Sequence, residues 1–184
     1  MRIALVGSHG VGKTSLLNKL ENQLEFEPYE FYEESVHQIS RIGFPYNEAS
    51  SDCSQLAMLA LNLLHLQKAE DFISDRCILD IMVYAEVLKN RGSNISQECV
   101  EILRKYWYKY KHLIDLYVFC PIEWEVKNDG FRMTDKYLQE MISTLMLAKM
   151  YMDLKPEQFL IVHGSTEERC QQVKSYAKAL GGIK

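Results

Sequence analysis

Eight residues near the start of the chain have types and a spacing that suit phosphate binding. Residues 7–14 read Gly-Ser-His-Gly-Val-Gly-Lys-Thr and match the pattern G-x-x-x-x-G-K-[ST] at every position. Glycines allow successive backbone N–H groups to turn toward phosphate oxygens, and a following helix adds the positive end of its dipole. Lys13 would reach the terminal phosphates, and Thr14 would offer a hydroxyl to Mg²⁺. The motif therefore predicts a nucleotide-binding loop.

The predicted nucleotide contacts come from this loop and from the first turn of the helix after it. They are Gly7, Gly10, Val11, Gly12, Lys13, Thr14 and Ser15. His9 also lies within the loop. Although imidazole titrates near neutral pH, His9 is expected to face solvent rather than to act in catalysis.

Acidic and basic residues follow two other candidate strands, at the edge where a parallel sheet binds its ligands. Asp75 is placed to hold Mg²⁺ directly or through water, and Arg76 can bind a phosphate or the acceptor's hydroxyl. Glu33 and Glu34 follow the second strand, where a carboxylate can accept the proton of an acceptor hydroxyl. Glu34 is the favoured base, and Glu33 and Asp75 stay open as alternatives. Glu34 and Arg76 are also predicted acceptor contacts.

A polar segment with one glycine follows the fourth candidate strand. Residues 128–132 read Asn-Asp-Gly-Phe-Arg, and Asp135 lies near the start of the long helix that comes next. This pattern is typical of a lid, which we place near residues 124–135. Arg132 on such a lid would neutralise charge on the transferred phosphoryl group only when substrate is bound.

A loop rich in aromatic residues follows the Glu34 segment. Residues 42–48 read Ile-Gly-Phe-Pro-Tyr-Asn-Glu, and Phe44 and Tyr46 are predicted to bind the acceptor. Aromatic rings stack on bases with about 1 to 3 kcal/mol each. Gln55, at the start of the next helix, is a weaker candidate for hydrogen bonding to a base edge. Simple burial of the two aromatic rings explains the sequence equally well.

Three classes of phosphate-loop protein compete, and the remaining motifs favour a kinase. A GTPase should carry an N-K-x-D-type segment, but residues 127–129 read Lys-Asn-Asp and lack that order. A mechanical ATPase should end a strand in Asp-Glu, but residues 74–76 read Ser-Asp-Arg. An Asp-Arg pair after the third strand resembles the pair found in deoxynucleoside and thymidylate kinases.

The elements that must position these residues alternate between strand and helix along the chain. Strands are predicted at 2–6, 29–32, 72–74, 113–119 and 159–162, from short apolar or aromatic runs. Helices are predicted at 14–20, 54–69, 79–89, 96–111, 135–152 and 166–180. Alternation of this kind predicts an α/β protein with a mostly parallel sheet covered on both faces, and no linker divides it.

Composition limits the partners and the compartment. The 184 residues include 21 Lys and Arg against 25 Asp and Glu, a formal net charge of −4, so broad nucleic-acid binding is disfavoured. The five cysteines are scattered and odd in number, which is typical of reduced thiols in a cytoplasmic protein. No apolar run is long enough to span a membrane, and Met1 leads directly into a strand, which leaves no room for a signal peptide. A homodimer remains open.

Taken together, residues 7–14, Glu34, Asp75-Arg76 with Asp80, and residues 124–132 resemble the nicotinamide-riboside kinase domain of NadR-type proteins and the wider group of P-loop small-molecule kinases. The resemblance covers nearly the whole chain. It implies a P-loop NTPase three-layer sandwich with a five-stranded parallel sheet of order 2-3-1-4-5, and it implies ATP with Mg²⁺. One departure is Glu34-Ser35-Val36-His37, where relatives often carry Glu-x-x-Arg, so a substrate contact is expected to differ.

These observations favour an ATP-dependent kinase, formed by a single domain over residues 1–184. Its acceptor would be a hydroxyl or phosphate of a nucleoside, nucleotide or related ribosylated base. Two alternatives stay open: a kinase acting on a modified base or an end in DNA, and an NTP-binding switch or ATPase without transfer. The sequence does not identify the base or sugar.

Overall fold

The computed structural model describes residues 1–123 and 135–183, and its centre is one parallel sheet. The strands are β1 (Arg2–Val6), β2 (Glu30–Tyr32), β3 (Phe72–Asp75), β4 (Leu116–Phe119) and β5 (Phe159–Ile161). Their order in the sheet is β2-β3-β1-β4-β5, and every pair of neighbours is parallel. The carboxyl ends of all five strands therefore meet at one edge.

Helices connect the strands, as a parallel sheet requires. They are α1 (Lys13–Glu21), α2 (Ser35–Arg41), α3 (Asp52–Lys68), α4 (Ile78–Asn90), α5 (Gln97–Tyr110), α6 (Lys136–Asp153) and α7 (Thr166–Ala179). Short 3₁₀ turns lie at Leu24–Phe26, Asn47–Ala49, Lys111–Leu113 and Pro156–Gln158.

The helices form two layers, and the central strand contacts both. Successive side chains of a strand point to opposite faces. Ile3 and Leu5 pack in the apolar cluster that contains the inner faces of α1 and α7. Ala4 and Val6 pack in the larger cluster formed with α3, α4, α5 and α6. Because β1 is buried on both faces, its sequence is a continuous apolar run rather than an alternating one.

The three-layer sandwich and the strand order 2-3-1-4-5 are confirmed, while some boundaries differ. The predicted strand at 113–119 begins only at Leu116, because Lys111–Leu113 continues from α5 as a 3₁₀ turn. The predicted helices did not include α2, which has seven residues and buries only Ser35 and Ile39. Such a short helix gives too little periodicity to be recognised.

Asp75 proves to be the last residue of β3 rather than the residue after it. The first strand and the last helix begin where the sequence predicts, at Arg2 and Thr166. Among the described residues, no helix combines the length and the apolar character needed to cross a membrane.

Candidate active site

The loop between β1 and α1 holds its shape through glycine geometry and one buried lysine. Gly7 has φ +146°, and a Cβ there would lie 2.6 Å from the carbonyl oxygen of Cys120, so no other residue fits without movement. Lys13 Nζ donates hydrogen bonds to the carbonyl oxygens of Gly7 (2.9 Å) and Ser8 (2.7 Å). Burial, together with the nearby Arg76 guanidinium, lowers the pKa of Lys13. A buried cation thus lies against the loop that is predicted to receive phosphate.

Thr14 and Asp75 meet beside this loop. The Thr14 hydroxyl donates a 2.6 Å hydrogen bond to Asp75 Oδ2. Asp75 Oδ1 is buried and has no hydrogen-bond partner among the residues that the structure describes. Burial raises the pKa of Asp75, although the Lys13 ammonium opposes this effect.

These two side chains fit a magnesium ion. A hydroxyl and an unpaired carboxylate oxygen are the hard oxygen donors that Mg²⁺ takes, with the remaining positions filled by phosphates and water. In the described part of the chain, no group of three or more His, Cys, Asp or Glu side chains is arranged to hold a metal.

Arg76 links the loop to the predicted base. Its guanidinium forms a short ion pair with Glu34, and the Arg76 Nη1 lies 3.5 Å from the Gly7 carbonyl oxygen. Burial opposes ionisation of Glu34, but the Arg76 guanidinium and the Lys13 ammonium hold its pKa below the usual value. Only 18% of the Glu34 side chain is exposed, whereas Glu33 points to solvent.

The backbone of Arg76 is itself unusual. Its φ is +76°, a region that side-chain-bearing residues seldom occupy and that is often retained at functional sites. Its N–H donates to the Leu5 carbonyl oxygen at 2.9 Å, which continues the sheet ladder by one residue beyond β3. The turn directs the guanidinium back over the carboxyl edge of the sheet.

Asp80 joins the loop, the β3 edge and α4. Its Oδ2 accepts from the Cys77 N–H at 3.1 Å and caps α4, while its Oδ1 lies 3.4 Å from the Gly7 nitrogen. The same Oδ1 lies 3.5 Å from the Arg76 guanidinium. Burial raises the pKa of Asp80 to about 6, although Arg76 and Lys13 oppose the shift.

The sequence also matches a known protein family. A family model described as an AAA domain matches residues 2–169. The chain belongs to this AAA-domain family. No curated protein matches this chain significantly.

Solved structures resemble this chain in fold, although their sequence identity to it is low. The NadR protein in complex with NR has a TM-score of 0.77 and 16% identity, with 99% of this chain and 52% of that chain covered. The chain thus spans about half the length of that NadR protein. Deoxyadenosine kinase from M. mycoides, with the products dCMP and dCDP, has a TM-score of 0.69 and 16% identity over 98% of this chain and 100% of that chain.

The structure brings five of the predicted side chains together beside the loop. Those brought together are Lys13, Thr14, Glu34, Asp75 and Arg76. Ser15 is exposed in the first turn of α1, and Phe44 and Tyr46 are half-buried between α2 and α3. Their binding roles stay predictions. Arg132 and residues 124–134 of the lid predicted near 124–135 lie outside the described residues.

The expectation that His9 faces solvent is wrong. Only 6% of His9 is exposed, and its carbonyl oxygen accepts a 2.8 Å hydrogen bond from Gln139 of α6. Tyr84 of α4 packs against its ring. The loop motif fixes where glycines and lysine must stand, but it does not reveal which later helices cover the loop.

Sequence analysis also missed an arginine that supports the loop from α7. Arg169 is 1% exposed and donates to the carbonyl oxygens of Val11 (2.7 Å) and Gly164 (2.9 Å), and to Glu123 Oε2 (2.6 Å). Glu123 Oε1 lies within hydrogen-bond distance of His163 Nδ1, at 2.8 Å. An arginine on the buried face of a predicted helix was the available signal, because such a charge must find partners.

Proposed function

We propose that this protein is an ATP- and magnesium-dependent kinase that phosphorylates a nucleoside, nucleotide or related ribosylated base. The observation that carries the proposal is the ion pair of Glu34 with Arg76 beside the phosphate loop. A carboxylate at this position can receive a proton either from an acceptor hydroxyl or from an attacking water, and the acceptor screen below separates the two. A kinase uses one to receive the proton of a hydroxyl.

Binding of the nucleotide would begin at the loop. The N–H groups at the start of α1 would donate to phosphate oxygens, and Lys13 would exchange its two carbonyl partners for phosphate oxygens. Thr14 and Asp75 would hold Mg²⁺, which when bound neutralises charge on the phosphate oxygens. Arg132 stays our proposed lid residue, which closes over the same oxygens.

Transfer to a hydroxyl requires a positioned acceptor and a place for its proton. Glu34 is ionised at neutral pH because Arg76 and Lys13 stabilise the carboxylate. The acceptor oxygen would bond to the γ-phosphorus while the bond from that phosphorus to the ADP oxygen breaks. The hydroxyl proton passes to Glu34. Arg76 keeps the carboxylate oriented and neutralises charge near the loop.

The polar groups of α3 favour an acceptor with hydrogen-bond donors on a flat base. Gln55 is 1% exposed, and its Nε2 donates to Ser50 Oγ at 2.8 Å. Its Oε1 is buried and has no partner in the described ranges, so it can accept from an amino or amide group. Phe44 and Tyr46 are proposed to stack on the same base. The similar solved structures of the NadR protein and of deoxyadenosine kinase contain NR and dCMP, respectively.

A labelled-phosphate screen tests the proposal. Full-length protein, Mg²⁺ and γ-labelled ATP are incubated with a panel of nucleosides, nucleotides and NR, and the products are separated. We expect label on one small acceptor. Label released only as inorganic phosphate contradicts transfer and favours a non-transferring NTP-binding protein.

Two lysine variants calibrate this screen. Lys13→Ala should abolish transfer while the far-ultraviolet circular dichroism spectrum stays unchanged. Lys19→Ala, which removes an exposed lysine paired with Glu167, should keep full activity. Transfer that survives Lys13→Ala would contradict the assignment of the loop.

A further inference from the structure

His9 has an environment unlike that of an exposed loop residue. Its ring lies edge-on to Tyr84, with centroids 6.4 Å apart, and its Nδ1 lies 3.3 Å from the Tyr84 hydroxyl oxygen. Its Nε2 is buried and has no hydrogen-bond partner among the residues of 1–123 and 135–183. Buried polar atoms are nearly always paired, so an orphaned ring nitrogen in a phosphate loop points to a ligand.

The contact with Tyr84 is compatible with the His9 tautomer that carries its proton on Nε2. The Arg76 guanidinium lies over the Tyr84 ring, 4.7 Å from its centroid, so the phenol has a cation beside it. Burial nonetheless raises the pKa of Tyr84 to about 12, and the hydroxyl keeps its proton. A protonated phenol can donate to Nδ1 of a neutral imidazole, and in that arrangement the imidazole proton lies on Nε2.

The ring is neutral at physiological pH. Burial, with the positive charges of Arg76 and Lys13, lowers the pKa of His9 to about 4, and the carboxylates of Glu34 and Asp135 oppose this only in part. Arg76, Lys13 and Glu34 are also groups that the proposed transfer uses, so His9 is in the electrostatic environment of the proposed site. In that tautomer Nε2–H is a buried donor, unpaired among the described residues, on the loop that is proposed to bind phosphate.

We infer that the Nε2–H of His9 donates a hydrogen bond to an oxygen of the terminal phosphate of the bound nucleotide, and that Tyr84 positions the ring for this contact. The inference rests on the proposed kinase function. His9 acts as a neutral donor and transfers no proton. It adds a contact for the transferred phosphoryl group that the loop motif does not specify.

Nuclear magnetic resonance of the histidine ring tests this without any phosphoryl transfer. In full-length protein with ¹⁵N-labelled histidine, we expect His9 to be the Nε2–H tautomer and to stay so from pH 5 to 8. Saturating AMP-PNP with Mg²⁺, or inorganic triphosphate with Mg²⁺, should shift its Nε2–H resonance more than ADP does. An Nδ1–H tautomer, an Nε2 resonance unmoved by both probes, or failure of both probes to bind would overturn the inference.

Variants separate a ligand contact from a structural role. His9→Ala should reduce the preference for AMP-PNP over ADP on the order of tenfold, since a hydrogen bond to a charged oxygen is lost. His9→Gln, which keeps an N–H donor at similar reach, should restore most of it. Equal losses in both variants would contradict the donor role.

A matched pair of tyrosine variants tests the positioning role. Tyr84→Phe should weaken the Nε2–H tautomer preference, whereas Tyr151→Phe, at an exposed tyrosine of α6, should not. An unchanged His9 tautomer in Tyr84→Phe would contradict that role. If the His9 variants change the preference for AMP-PNP over ADP but the acceptor screen finds no product, the His9 contact is supported and the proposed kinase function is contradicted. If the screen finds a product but the His9 variants change nothing, only the contact is contradicted.

Discussion

The hydroxyl of Thr14 donates a 2.6 Å hydrogen bond to Asp75, a residue 61 positions later in the chain. This bond joins the first turn of α1 to the last residue of β3. It brings the hydroxyl of the loop motif and a carboxylate of another strand within reach of a single small cation. Most of the proposed chemistry is arranged around this pair.

Replacing Thr14 tests the magnesium assignment. Thr14→Val keeps the shape of the side chain but removes the hydroxyl, so we expect turnover to fall by about 10²-fold, in the range for loss of one preorganised electrostatic contact. The measurement is turnover against magnesium concentration. Thr14→Ser retains the hydroxyl and should need little extra magnesium; a similar loss in both variants would contradict the assignment of the Thr14 hydroxyl to magnesium.

The two neighbouring glutamates provide a test of the base. Glu34→Gln should lower turnover by about 10²- to 10⁴-fold, the usual contribution of a positioned acid or base. Glu33→Gln, at an exposed position, should leave turnover near the wild-type value. Since the pKa of Glu34 is held below its usual value, the free enzyme should keep its base ionised into the acidic range. Comparable losses in the two variants would refute the assignment of Glu34.

Asp80 should give the protein a distinctive dependence of stability on pH. Its pKa is about 6 in the folded chain against an ordinary value near 3.8, so between these values the folded state binds more protons than the unfolded state. The free energy of unfolding therefore falls as pH rises through this window. From pH 4.5 to 7, ionisation of Asp80 should lower the free energy of unfolding by about 2 kcal/mol.

Asp80→Asn removes that ionisation. Urea denaturation measures the free energy of unfolding of Asp80→Asn and of wild type. Between pH 4.5 and 7, the wild-type value should fall relative to that of the variant. Glu21→Gln, on the surface of α1, serves as the control. A difference that does not change with pH would show that Asp80 has no raised pKa in the folded chain.

Arg169 should matter for stability more than its place on the last helix suggests. Arg169→Lys cannot reach the Val11 and Gly164 carbonyl oxygens and Glu123 together, so buried acceptors lose partners. We expect a loss of about 2 to 4 kcal/mol in the free energy of unfolding, measured in urea. Arg104→Lys, at an arginine 43% exposed and paired with Glu86, should cost less than about 1 kcal/mol. Equal costs would mean that the loop does not depend on this support.

The sequence by itself determined the loop and the layered architecture. Gly7, Gly12, Lys13 and Thr14 are recognisable because the geometry of a phosphate cradle fixes their types and spacing locally. The apolar run of β1 and the alternation of strand and helix predict a covered parallel sheet, because burial on both faces imposes that pattern. These signals all act over a few residues.

Tertiary structure alone decided which side chains meet. Glu34 was the favoured base from the sequence, but only the tertiary structure shows its ion pair with Arg76. The burial of His9 likewise depends on the helices that carry Tyr84 and Gln139. Such contacts join residues that are tens of positions apart in the chain. Local spacing places a residue on an element, but the packing of whole helices against the sheet determines its partner.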